Sequence, residues 1–441
     1  MKTPIVDFVR AYALSGALRS HMPGHKGEKL LGFEEFDITE IKGADSLYEA
    51  EGIIKESEEN ASSLFGCPTF YSTEGSSQCI RAMVYLALIH AKKQGKKPVI
   101  AAARNVHKTF LSAAALIGVE VKWLYGENDG SYLSCKISPE SLEELFLSEE
   151  KPTAVYITSP DYLGNTQNVA GLAEVCHRNG ALLLVDNAHG AYLKFLPQSR
   201  HPMDLGADLC CDSAHKTLPA LTGAAYLHVG VNELVPNAKQ ALMLFGSTSP
   251  SYLILQSLDM VNKFLSEGYS EKLKDFSEEM LRLKSYLEGM GYTLVGDEEI
   301  KLSISTKPYG YTGEEFGELL EEKGVIPEFY DRDYLVLMLS TLNSDADLEK
   351  IQKAFSEIPK RDEISEKPPT PAKAEKGMEI REAMLSLSEE VPADMAKGRI
   401  LASAGVGCPP AVPIVCCGEV IDETAVECFK YYGIETVSVV K

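Results

Sequence analysis

Between about residue 60 and residue 230, apolar runs of strand length alternate with helical stretches. The runs are KPVIAAA, VEVKWLY, TAVYIT, ALLLVD, ADLCCD and AAYLHV. Strands that recur between helices form a mostly parallel sheet with helices on both faces, so this alternation confines the chain to an α/β architecture. Several runs are apolar at consecutive positions, as expected where both faces of a strand are covered. Ligands of such sheets gather at the carboxyl ends of the strands, and those ends are where chemistry is to be sought.

The rest of the chain is organised differently. From residue 266 to 292 the pattern becomes one long charged helix, followed by the short strand candidates KLSIST and YLVLML, which indicates a smaller α+β unit. At RDEISEKPPTPAKAEKGMEI, Pro368, Pro369 and Pro371 stand among charges and small residues and read as an exposed connector. The expected division is therefore a large domain over 1–265, a small α+β domain over 266–360, a linker over 361–377 and a C-terminal module over 378–441. A length of 441 residues accommodates such a division.

Net charge and segment composition exclude several function classes. A formal charge of −21 argues against a nucleic-acid surface, which needs clustered Lys and Arg, and is permissive for cationic solutes. The opening MKTPIVDFVRAYALSG carries Asp7 and Arg10 within its apolar pattern, so it reads as an amphipathic helix rather than a secretory signal. No apolar stretch reaches the roughly 18 residues of a membrane span. Ten cysteines without a C-x-x-C pair indicate neither a zinc site nor a disulfide framework, and imply buried thiols in a reducing cytoplasm.

Four fragments at strand ends carry chemistry. Gly75, Ser76 and Ser77 precede the helical stretch CIRAMVYLALIHA, where backbone N–H groups and hydroxyls can hold a phosphate. His107 follows a strand and can stack on a flat ring. Asp186 ends ALLLVD, where a buried carboxylate needs a cation or strong donors. Lys216 lies just past ADLCCD, preceded by Ser213 and His215. Alone, each has an ordinary structural reading: a turn and N-cap, a structural histidine, a capping aspartate, a solvated lysine. In this order they match what pyridoxal 5'-phosphate requires. Lys216 condenses with its aldehyde, Asp186 pairs with the pyridine nitrogen, and Ser76 and Ser77 hold its phosphate, with Ser213 and His215 as auxiliary contacts. Lys216 or His215 would return the proton to the product carbon. The Lys/Asp pair does not by itself choose between a decarboxylase and an aminotransferase.

Longer signatures add to this. SHMPGHKG (20–27), DSLYEAEGIIKESEENASSLFG (45–66), YSTEGSSQ (71–78), RNVHKTF (104–110), VDNAHGAY (185–192), DSAHKTLPALTGAAYLH (212–228), FGSTSPSYLILQSLD (245–259) and GRILASAGVGCPPAVPIVCCGEVI (398–421) resemble the ornithine/lysine/arginine decarboxylase family. The resemblance implies a fold-type I, aspartate aminotransferase-like large domain, and decarboxylation of a small cationic amino acid to its amine and CO2. It also implies a site shared between two subunits, with His189 in the family's Ala-His-Gly context and Ser247 on a loop that reaches the neighbouring cofactor phosphate. A polyamine-type product, a homodimer or dimer of dimers, and no nucleic-acid or membrane partner go with it.

The sequence departs from the family at several points. Large members carry an additional N-terminal wing domain, whereas this sequence begins almost at the helix before SHMPGHKG, so the expectation is a short form that does not build a large ring. Asn187 and Gly223 stand where relatives more often carry glutamate and glutamine, and CCGE at 416–419 replaces a Pro-Gly-Glu form. Glu419 is a candidate for the distal cation of the substrate, although a surface or capping role is favoured for it. Two alternatives stay open: another PLP reaction on this fold, such as an aminotransferase or lyase, and a catalytically silent regulatory homologue. Retention of both Lys216 and Asp186 argues against the second.

Overall fold

The computed structural model describes residues 1–126, 131–148, 151–405 and 411–441. Seven strands alternate with helices through the first 229 residues: β1 (Thr69–Ser72), β2 (Val99–Ala103), β3 (Glu120–Leu124), β4 (Ala154–Thr158), β5 (Leu182–Asp186), β6 (Leu209–Asp212) and β7 (Ala225–Val229). All six apolar runs named above are strands. β1 is additional, since TFYS is too short and too polar to announce itself.

By compactness the chain forms two units, one of Met1–Lys96 with Leu182–Lys274, the other of Lys97–Ala181 with Asp275–Lys441. In the first unit the strand order is β1-β7-β6-β5. β5 and β6 run parallel, with Asp186 opposite Cys211, and β7 is antiparallel to both β6 and β1. Every residue of β5 and of β6 is buried, which is why their sequences are apolar without alternation. Cys210 and Cys211 point to opposite faces, and both are fully covered. The helix Pro4–Leu14 of this unit matches the amphipathic opening segment. Its start is fastened by Asp259, whose Oδ2 accepts from the N–H groups of Ile5 and Val6 at 3.0 and 3.1 Å.

In the second unit β2 pairs in parallel with β3 on one side and β4 on the other. A four-stranded antiparallel sheet of β8 (Thr293–Val295), β9 (Lys301–Ser305), β10 (Phe329–Tyr330) and β11 (Tyr334–Met338) has the order β10-β11-β9-β8. Near the C-terminus β12 (Ser388–Pro392) and β13 (Thr436–Val440) form a ribbon over a core that includes Leu401, Ile414, Phe429 and Val439.

The segment 361–377 has mostly exposed side chains and is nevertheless pinned along its length. Ile364 N–H donates to Lys307 O at 3.1 Å, and Glu366 pairs with Arg332 at 2.9 Å. The Cys428 thiol donates to Pro369 O, and Ala372 N–H to Thr424 Oγ1. Beneath it, a buried ion pair joins Lys307 to Asp333 at 2.8 Å. Among the described residues the cysteines are free thiols, and no helix is long and apolar enough to cross a membrane.

Candidate active site

The carboxyl ends of β5 and β6 deliver Asp186 and Lys216, the two residues expected to carry the chemistry. Asp186 is the last residue of β5 and is buried. Its Oδ1 accepts from Ala188 N–H at 3.2 Å and from the Cys211 thiol at 3.5 Å. Burial raises the Cys211 pKa well above its usual value, so that thiol acts as a donor. β6 ends at Asp212, Ser213 stands at the N-cap position of the four-residue helix Ala214–Thr217 without a side-chain cap bond, and Lys216 rides on that helix. Lys216 Nζ lies 3.0 Å from His189 Nε2, and His189 is itself buried.

The residues expected to cradle a phosphate lie in the same unit. The helix Gly75–Lys93 begins at Gly75 without a side-chain cap, so its first turn presents the positive end of a 19-residue helix. Ser213 Oγ donates to Ser76 Oγ at 2.8 Å, which joins the β6 segment to the helix start. Gly75 has φ +73° with open space where a Cβ would stand, and its N–H donates to Gly223 O at 2.7 Å. Gly223 in turn has φ +97°, and a Cβ there would meet Thr73 O and Ile254 at 3.1 Å. A glutamine at 223 would be strained in this backbone. Ser77 follows on the same first turn.

The remaining expected residues are placed as follows. His215 directs Nδ1 to Ala224 O at 2.9 Å, so the proton on that nitrogen is committed to a carbonyl. Ser247 is exposed, its N–H donates to Glu74 Oε1 of its own chain, and its Oγ accepts from Ser249 N–H. His107 belongs to the second unit, where it caps the helix Lys108–Ile117 by accepting Thr109 N–H on Nδ1 at 3.2 Å.

Glu419 is neither a surface residue nor a vacant cation receptor. It is buried, and its Oε2 takes Arg104 Nη2 at 2.8 Å and Cys416 N–H at 2.7 Å. Burial lifts the carboxyl's pKa even against the guanidinium. Arg104 also donates to the carbonyls of Pro413 and Ile414 and lies over the Trp123 ring. Lys108 N–H adds a bond to Ala411 O at 2.9 Å, so the RNVHKTF segment is held by the last signature. Residues 406–410 of that signature lie outside the described residues. The sequence gives no hint of this clamp, whose partners are more than 300 positions apart.

An amine beside an imidazole, a buried carboxylate on the adjacent strand end, and two hydroxyls at an open helix start form the donor set that pyridoxal phosphate needs. A family model described as "Orn/Lys/Arg decarboxylase, major domain" matches residues 3–291. The chain belongs to the Orn/Lys/Arg decarboxylase family. It is a PLP-dependent decarboxylase of basic amino acids, on the fold-type I scaffold. The decarboxylase is 29% identical to an arginine decarboxylase of Halalkalibacterium halodurans, over 96% of this chain and 92% of that protein. It is 28% identical to the arginine decarboxylase of Bacillus subtilis over the same shares. Lysine decarboxylase A from Pseudomonas aeruginosa superposes with a TM-score of 0.81 at 17% identity, covering 99% of this chain and 80% of that one.

Proposed function

We infer that the decarboxylase converts L-arginine to its amine and CO2, with Lys216, Asp186 and His215 as the catalytic residues. The observation that carries the site assignment is the 3.0 Å contact of Lys216 Nζ with His189, beside the buried Asp186. The choice of arginine rests on the names of the relatives that match the chain over nearly its whole length. When bound, pyridoxal phosphate supplies the electron sink for the pair released as the carboxylate leaves. Gly75, Ser76, Ser77 and Ser213 bind its phosphate through hydroxyls and the helix start, and His215 supports that contact. Asp186 would hold the proton of the ring nitrogen, and His107 would be the ring-stacking residue. Lys216 anchors the cofactor at rest. His189 orients the Lys216 amine and exchanges its proton, and Lys216 or His215 delivers a proton to the substrate's α-carbon.

A panel of L-arginine, L-lysine and L-ornithine, scored for CO2 and amine, tests this reading. The highest kcat/KM is expected with arginine. Preference for lysine or ornithine would reject arginine within the same reaction class, and keto acid in place of CO2 would reject decarboxylation.

The reading includes a cytoplasmic enzyme of polyamine-type metabolism that works as a homodimer or dimer of dimers. The modules in it are 1–265, 266–360 and 378–441, joined by 361–377. Exposed apolar side chains along one N-terminal stretch, among them Leu14, Leu18, Leu30 and Leu31, support a partner-covered surface. Ser247, on the exposed 245–250 loop, would complete the neighbour's phosphate site. Co-expressing a Lys216→Ala chain with a chain damaged in that loop should restore one good site per heterodimer. Heterodimers that form and stay inactive would assign the loop to its own subunit.

A further inference from the structure

One buried cluster of the first unit takes no direct part in this scheme. Asp212 ends β6 with no solvent exposure. Its Oδ2 accepts from Nε2 of both His201 and His228, each at 3.0 Å, and its Oδ1 accepts from Asn187 Nδ2 at 2.7 Å. Further contacts orient both rings. Met203 N–H donates to His201 Nδ1, so His201 turns Nε2 to Asp212. Thr69 Oγ1 lies 2.9 Å from His228 Nδ1 and 3.0 Å from Cys67 O. His228 Nε2 thus faces the Asp212 carboxylate with both side chains fully buried. Burial opposes both charges, yet the imidazoles hold the Asp212 carboxyl below the usual carboxylate range, and Asp212 lifts the pKa of His228.

His201, Cys210 and Asp212 lie close enough together to suggest a metal site. The carboxylate oxygen and the imidazole nitrogens already face one another in hydrogen bonds, and burial keeps the Cys210 thiol protonated. The set is a buried carboxylate–imidazole ion-pair cluster, not a ligand set. A buried ion pair adds little stability over well-packed apolar side chains, so its place in the fold matters more than its strength.

That place is specific. Asn187 directly follows Asp186, and Asp212 directly precedes Ser213 and lies four residues before Lys216. The Asn187–Asp212 bond thus ties two neighbouring strand ends together where the ring-nitrogen partner and the lysine leave the sheet. The backbone bond from Asn187 N–H to Cys211 O, 3.0 Å, sets the same register.

We propose that Asp212, balanced by His228 and tethered to Asn187, is a positioning residue that sets the separation of Asp186 from Lys216. The inference rests on the assignment of those two residues to the cofactor. An Asp212→Asn holoenzyme keeps the shape and loses the charge that holds both imidazoles. Asn187→Ala cuts only the tether and leaves the ion pair in place.

In each variant the visible circular dichroism of the bound cofactor is expected to fall at saturating cofactor. The cofactor Kd is expected to rise about ten-fold for Asp212→Asn and less for Asn187→Ala, with kcat falling more than KM changes. Unchanged dichroism, Kd and kcat alongside a lowered Tm would make the cluster merely structural and overturn the proposal. If Asp212→Asn does not fold, Asn187→Ala decides by the same readouts. An Asp186→Asn enzyme with an unaltered cofactor spectrum would instead reject the site assignment beneath it.

Discussion

Replacing Lys216 by alanine is expected to remove the visible absorption of the purified decarboxylase and at least about four decades of turnover. Lys216 is the amine that lies against the buried His189 at the end of β6, on a short helix whose N-cap residue, Ser213, also reaches the helix start at Ser76. Removing it deletes the anchoring amine and one of the two proton donors assigned to the α-carbon. The side chain is only half-buried, so the fold should survive with a nearly unchanged Tm. Absorption spectra with and without added cofactor, alongside CO2 release, check the result. A Lys216→Ala protein that stays yellow after dialysis, or a wild-type protein that never takes up pyridoxal phosphate, would sink the assignment.

Asp186→Asn is expected to keep the fold and part of the cofactor while losing about two or more decades in kcat, equivalent to about 2.7 kcal/mol or more of barrier. The physical reason lies in the partners already on the carboxylate. Ala188 N–H and the Cys211 thiol both donate to Oδ1, so an amide there turns its oxygen toward them. Its NH2 then faces the ring nitrogen. A donor in that position favours the unprotonated ring, and the carboxylate that would hold the proton is gone. Steady-state rates and the spectrum of the loaded variant measure this. Turnover near that of the wild type would show that Asp186 serves another purpose.

The strands of the parallel layer were legible because burial on both faces leaves a continuous apolar run, as in LLLVD and LCCD. The residues at or just past their ends stood out for the complementary reason, since Asp186 and Lys216 are charges placed where the pattern calls for none. β1, at four residues, and β10, at two, have too few positions for a periodicity to show. Side-chain partnerships at long range left no trace. His228 meets Asp212 only because β7 turns back antiparallel on β6, and Arg104 meets Glu419 across 315 positions. Glu419 shows the limit most clearly. Its acidic side chain suggested a receptor for a cationic substrate, and the fold had already matched it with a cation of its own.

The pinned segment 361–377 changes what kind of joint precedes the C-terminal module. A Pro-rich spacer tethered only at its ends would let the module explore a volume set by linker length, at an effective concentration in the millimolar range. Bonds at Ile364, Glu366, Pro369 and Ala372 remove that freedom by anchoring the chain every few residues. The module is held in register like a laced seam: opening it means breaking successive small contacts in order, and each intact stitch returns the next one to within bonding distance. Stability of this kind is graded along the chain, and a lengthened spacer would loosen only the stretch between two stitches.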